Sequence, residues 1–160
     1  MEDTIFPTDH QGNPLADTDW GFKAEKIMTL TGGTTNDPGD YNGTGNPATL
    51  FTVTGTVLLR LLAICETALV GASATIEVGI TGDTAKLIVQ STAANIIAGE
   101  IWHDISPDSK IEASSVLTEN IIANGSDIIQ TVGTANITAG KIKYIALWYP
   151  LSKDSNVIPA

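Results

Sequence analysis

Sulfur, positive charge and aromatic rings are all scarce in this chain of 160 residues. Its single cysteine, Cys65, excludes an intrachain disulfide and any cysteine-rich metal site, so stability has to come from packing or association. Assembly in a reducing cytosol is the simplest reading. Lys and Arg together number 8 against 18 Asp and Glu, giving a formal net charge of -10 and a pI near 4.3. Nucleic-acid binding needs a basic stripe that displaces counterions, and Lys23, Lys26, Arg60, Lys86, Lys110, Lys141, Lys143 and Lys153 are scattered along the sequence. Neither a nucleic acid nor an anionic membrane is expected as a partner. Arg60 interrupts the apolar run "VLLRLLAIC", and no stretch reaches membrane-spanning length. The opening "MEDTIFPTDHQG" is acidic and broken by Pro7, without the basic start and apolar run of a secretory signal.

Gly, Thr, Asn and Asp punctuate short runs of Ile, Leu, Val and Ala, a mixture that suits short strands joined by tight turns. Residues 1–20 lack periodicity and contain Pro7, Gly12 and Pro14, so they read as an extended N-terminal arm. Residues 21–160 are expected to form a single β-sandwich domain, a size that accommodates one hydrophobic core. "FKAEKIMTL" is compatible with a strand or a short helix, and the turn formers of 31–48 predict a long polar surface loop.

From residue 49 onward strands and turns alternate. "TLFTVTG" puts Phe51 and Val53 on one face, and "ATIEVGI" puts Ala74, Ile76, Val78 and Ile80 inward with Thr75 and Glu77 outward. "TGD" turns the chain into "TAKLIVQ", and "EIWHDI", "KIEASSV", "NIIAN", "DIIQTV" and "KIKYIALWY" are further strand candidates. This spacing predicts an all-β fold, an antiparallel β-sandwich of jelly-roll-like type. Helical signals are weak: the capping box at Ser115 meets Thr118 where Glu or Gln is required.

In "EIWHDISPD" the strand period sends His103 and Asp104 to opposite faces, so they are expected to diverge rather than pair as base and orienter, and a strand entering an Asp/Ser/Pro turn is the favoured reading. "DPGDYNGTGN" offers oxygen atoms but not the ordered spacing of a helix-loop-helix calcium site, so residues 36–46 read as a solvated loop. The sequons at Asn42, Asn124 and Asn136 read as turn chemistry. No enzyme activity, cofactor or metal is expected.

Two long segments behave differently. Residues 56–66 and 144–149 are apolar at both parities, although the second begins with Lys141 and Lys143 on one face and Ile142 and Tyr144 on the other. A two-sheet domain buries one face of each strand internally, so the other face needs a cover. The two strands are expected in one sheet whose outer face packs against sister subunits, with Leu58, Arg60, Leu62, Tyr144, Trp148 and Tyr149, or the opposite-parity neighbours of these, as candidate interface residues. Coverage by the polar loop or the arm is the competing arrangement. Arg60, alone among Leu58, Leu62 and Ile64, requires a carboxylate or a set of carbonyls, met at a sheet edge or across subunits.

At "LAICETALVGASATIEVGITGDTAKLI", "EIWHDISPD" and "NGSDIIQTVGTANITAGKIKYIALWYPL" the sequence resembles small all-β virion proteins of tailed bacteriophages, over residues 50–152. The resemblance implies a capsid decoration (head-stabilising) protein, a homotrimer bound to the major capsid protein on the outer surface of a phage head and made in the bacterial cytoplasm. It implies no catalytic residues. The arm, with Ile5, Phe6, Pro7, Leu15 and Trp20, would then contact neighbouring capsid subunits. The alternative is a receptor- or glycan-binding module of a tail fibre, with Tyr41 beside Asp40 and Asn42 as its best local candidate.

Overall fold

Alternation of large apolar and polar residues at period two sets most of the architecture. In the computed structural model, which describes residues 21–107 and 110–160, there are ten strands in chain order: β1 (Phe22–Thr29), β2 (Ala48–Thr54), β3 (Val57–Val70), β4 (Thr75–Ile80), β5 (Asp83–Thr92), β6 (Ile101–Trp102), β7 (Asn120–Ile122), β8 (Ile128–Gly133), β9 (Ala139–Pro150) and β10 (Asn156–Pro159). They form two antiparallel sheets packed face to face, an all-β sandwich. Sheet one has the order β1-β9-β3, with β6 and β7 both on the far edge of β3, at its residues 63–64 and 57–59. Sheet two has the order β10-β2-β8-β4-β5. Consecutive strands mostly alternate between the sheets; only β4 to β5 and β6 to β7 stay within one.

The segment 22–30, ambiguous by pattern, is strand β1, held along its length by β9 from Phe22 opposite Trp148 to Thr29 opposite Lys141. The expected inward set of β4 holds for Ala74, Ile76 and Val78, which are fully buried, and Ile80 packs against the same core. Phe51 and Val53 are buried together as expected, and a register shift between Thr49 and Phe51 buries Leu50 as well. The segment 110–116 does not form the strand its pattern suggested: Ser114–Val116 is a 3-10 turn, and Ile111 is 84% exposed. Strand β6 likewise contains only Ile101 and Trp102. The proposed arm, residues 1–20, lies outside the described residues.

The core between the sheets takes Val57, Leu59, Leu61, Ala63 and Cys65 from β3 and Ile142, Tyr144, Ala146 and Trp148 from β9. Full burial of each large apolar side chain contributes roughly 1.5–3 kcal/mol. Two polar groups inside are paired through rings: Trp102 Nε1 donates to Ser91 Oγ at 2.8 Å, and Tyr144 Oη donates to Gln130 Oε1 at 2.8 Å. Burial pushes the Tyr144 phenol well above its ordinary pKa and the Cys65 thiol up to about 11.

The 31–48 segment is more constrained than a solvated loop. Strand β2 begins at Ala48, and the turns before it are docked onto the β8–β9 connection. Asn46 Nδ2 donates to Val132 O while Asn46 Oδ1 accepts from Val132 N, and Asn136 accepts from Tyr41 N and donates to Gly32 O. Gly39 is required at this contact, since a Cβ there would fall 2.2 Å from Ile137 O. Composition alone does not distinguish a loop whose Asn side chains face water from one whose Asn side chains substitute for a sheet ladder.

Candidate subunit interface

Parity decides which residues of β3 and β9 remain available on the outside. Lys141 and Lys143 point away from the core, and continuing that parity sends Ile145, Leu147 and Tyr149 outward as well. Arg60 does the same on β3 for Leu58, Leu62 and Ile64. All six of these apolar side chains are half-buried by their sheet neighbours.

Register lines them up in rows across sheet one. Ile121, Leu58 and Tyr149 form one row, and Arg60 and Leu147 continue to Lys23 in the next. Leu62 and Ile145 then lead to Glu25, and Ile101, Ile64 and Lys143 lead to Ile27. Ile121 at 67% and Ile27 at 52% are the most exposed apolar members. Covering the residual exposure of such side chains contributes on the order of 0.5–1 kcal/mol each, so several rows together suffice to hold a partner.

The candidate interface residues therefore divide. Leu58, Arg60, Leu62 and Tyr149 lie on the outer face, whereas Tyr144 (0% exposed) and Trp148 (7%) face the core and are corrected to packing residues. Trp148 stacks on Phe22 with ring centroids 4.9 Å apart, and Tyr144 meets Trp102 edge-on at 6.5 Å. Ile145 and Leu147, the opposite-parity neighbours of Tyr144 and Trp148, take their place on the outer face with Ile64, and Ile101 and Ile121 extend it at the edge of β3. The signal that finds them is the parity of Lys141, Lys143 and Arg60, extended along each strand.

Charge on this face is organised around its basic side chains. Arg60 is paired with Glu119 of the same chain, just before β7, so the carboxylate it required comes from the sheet edge. Glu25 is held between Lys23 Nζ at 3.0 Å and Lys143 Nζ at 3.3 Å. The hydrogen bonds from Lys23 and then Lys143 keep the Glu25 carboxyl below the usual carboxylate pKa. Gly21, with φ +78°, lies against this same face: a Cβ there would be 2.5 Å from Trp148 O and 2.9 Å from the Tyr149 ring.

Two other sequence candidates are placed by the structure. His103 and Asp104 do not diverge, because the strand ends at Trp102 and the chain bends; His103 Nδ1 is 3.9 Å from Asp104 Oδ2, and Nε2 is 3.6 Å from Glu112 Oε1. Both separations exceed hydrogen-bond length. In the 36–46 loop, Asp37 Oδ2 accepts from the Gly33 and Thr34 amides and Asp40 Oδ1 accepts from Asn42 N, so these oxygens close turns. A hydrogen bond from Thr31, followed by those amides, lowers the Asp37 pKa. Among the described residues no three His, Cys, Asp or Glu side chains are grouped to hold a metal ion. No described helix is long and apolar enough to cross a membrane. Comparison with protein-family models, with curated proteins and with solved structures returns no match.

Proposed function

We propose that this chain is a virion structural protein, a capsid decoration protein that self-assembles, as a homotrimer, through the outer face of sheet one and clamps neighbouring subunits of a phage head. The observation that carries the reading is the set of apolar rows on that face, built from the central strands β3 and β9 and not needed by the chain's own core. An outward face of this kind is the usual mark of an interface. The alternation of strands between sheets supports the jelly-roll form of the sandwich, an architecture used in viral shells. The resemblance of residues 50–152 to small phage virion proteins supplies the setting, and the major capsid protein is the partner it implies. Clamping by a multivalent oligomer works through avidity, so the reading assigns no reaction to the chain.

Quantitative mass spectrometry of purified particles tests it. A copy number comparable to that of the shell subunit is the expected result; absence from particles overturns it. One observation favours a second reading, a tail-fibre glycan-binding module: Tyr41 is 40% exposed on a backbone held at both sides, by Asn136 at its amide and by Asn46 at its carbonyl. Low copy number together with glycan binding that Tyr41→Ala abolishes would favour that reading.

A further inference from the structure

Resting on the reading that a neighbouring copy covers the outer face of sheet one, we infer that the covering element is residues 1–20 of that neighbour, an acidic and apolar segment laid across an apolar sheet that carries half of the chain's cations.

The sign of the charge argues against the sheet pairing with itself. Lys23, Arg60, Lys141 and Lys143, half of the chain's 8 cations, lie on this face beside Glu25, Glu66 and Glu119, so the face keeps a small positive excess in a chain whose net charge is -10. Two such faces brought together offer each other no excess of negative charge to meet these cations. Residues 1–20 have the complementary composition. They contain Glu2, Asp3, Asp9, Asp17 and Asp19, no Lys or Arg, and the apolar anchors Ile5, Phe6, Leu15 and Trp20.

Position and reach agree. The described chain begins at Gly21 against the Tyr149 ring, so the segment leaves each subunit at the margin of this face. Extended, 20 residues span up to about 66 Å, against roughly 40 Å for the whole of β9, which is enough to leave one subunit and cross the sheet of the next. Sheet rows such as Ile121, Leu58 and Tyr149 provide troughs for alternate apolar side chains, while Lys141, Lys143 and Lys23 meet the carboxylates.

Cross-linking of the full-length chain tests the inference. Phe6→Cys and Leu147→Cys variants, prepared separately, mixed to exchange subunits and treated with a bis-maleimide, should yield a heterodimer joined between positions 6 and 147. Cys65 stays silent, being buried with its pKa at about 11. Four results overturn the inference while leaving assembly intact: joining of the two positions only within one chain, seen in a Phe6→Cys/Leu147→Cys double variant but not in the mixture, joining of 147 to 147, joining of 6 to 6, or no joining in a sample that retains its assembled mass. A monomeric mass for the unmodified protein overturns the self-assembly reading itself. Charge exchange provides a second readout. Lys141→Glu with Lys143→Glu, or Asp17→Lys with Asp19→Lys, should each weaken association roughly tenfold, and the combination should restore it; a combination weaker than either pair overturns the inference.

Discussion

Leu58, Leu62, Ile64, Ile145 and Leu147 point away from the core on sheet one, whereas Thr49, Thr52, Thr75, Glu77 and Thr131 take the equivalent outward positions on sheet two. On sheet two Glu77 accepts from Thr84 Oγ1 and from Gln90 Nε2, the latter at 3.1 Å, while the hydroxyls of Thr75 and Thr131 are buried without a hydrogen-bond partner among the described residues. The apolar exceptions on this sheet are Ile129, which is buried, and Ile158 opposite Thr52 and Val89 on β5, which are about half exposed. Both faces are made by strands with one side in the same core, so the core does not dictate the difference. Threonine fits a strand that ends in water; a Leu or Ile in the same place gains free energy only when something covers it. The contrast is therefore the physical basis for placing the interface on sheet one.

Substitutions on the two sheets sharpen that contrast. Trp148→Glu puts a carboxylate into the core of sheet one and should cost at least about 4 kcal/mol, abolishing the cooperative thermal transition, while Thr52→Glu on sheet two should leave the transition within a few degrees. A folded Trp148→Glu protein would return Trp148 to the outer face and dissolve the parity argument. Tyr144→Phe removes the donor to Gln130 across the two sheets and should lower the unfolding free energy by about 1–3 kcal/mol, measured from the urea midpoint. An unchanged midpoint would mean that Gln130 finds another donor. Arg60→Ala should change monomer stability by less than about 1 kcal/mol, because its pair with Glu119 is partly open to water. A larger loss in a double-mutant cycle with Glu119→Ala would make this pair structural.

The smallest effect concerns pH. Glu25 is held below its ordinary pKa in the folded protein, so it binds fewer protons folded than unfolded, and its contribution is present above the unfolded pKa and lost as pH falls through the folded value. Glu25→Gln should flatten the acid limb of stability below about pH 4.5 and leave neutral pH nearly unchanged. A steeper acid limb in the variant would contradict the Lys23 and Lys143 pairing.

The sequence made the all-β class legible because turn formers and period-two strands recur from residue 49 onward, and strands β4 and β8 appear in the structure as their patterns predict. Phase was harder. Residues 144–149 are apolar at every position, so they carry no inside and outside of their own, and only the parity of Lys141 and Lys143 carried along the strand sends Tyr144 and Trp148 inward. Pairing was harder still. "KIEASSV" has strand composition but forms no ladder, and "EIWHDI" pairs over only two residues, because both depend on what β3 offers along one edge. The Asn46 and Asn136 contacts that dock the polar loop join residues 86 and 104 positions apart, beyond any local pattern.

Sedimentation equilibrium of the unmodified chain beside Leu62→Asp/Leu147→Asp tests the interface most directly, with circular dichroism as the control for folding. The unmodified protein should have a mass that is a multiple of 16.7 kDa, and the variant should fall to 16.7 kDa with its strand signal intact. Equal masses for two folded proteins would contradict the account, and would mean that the apolar rows of sheet one hold no neighbouring subunit.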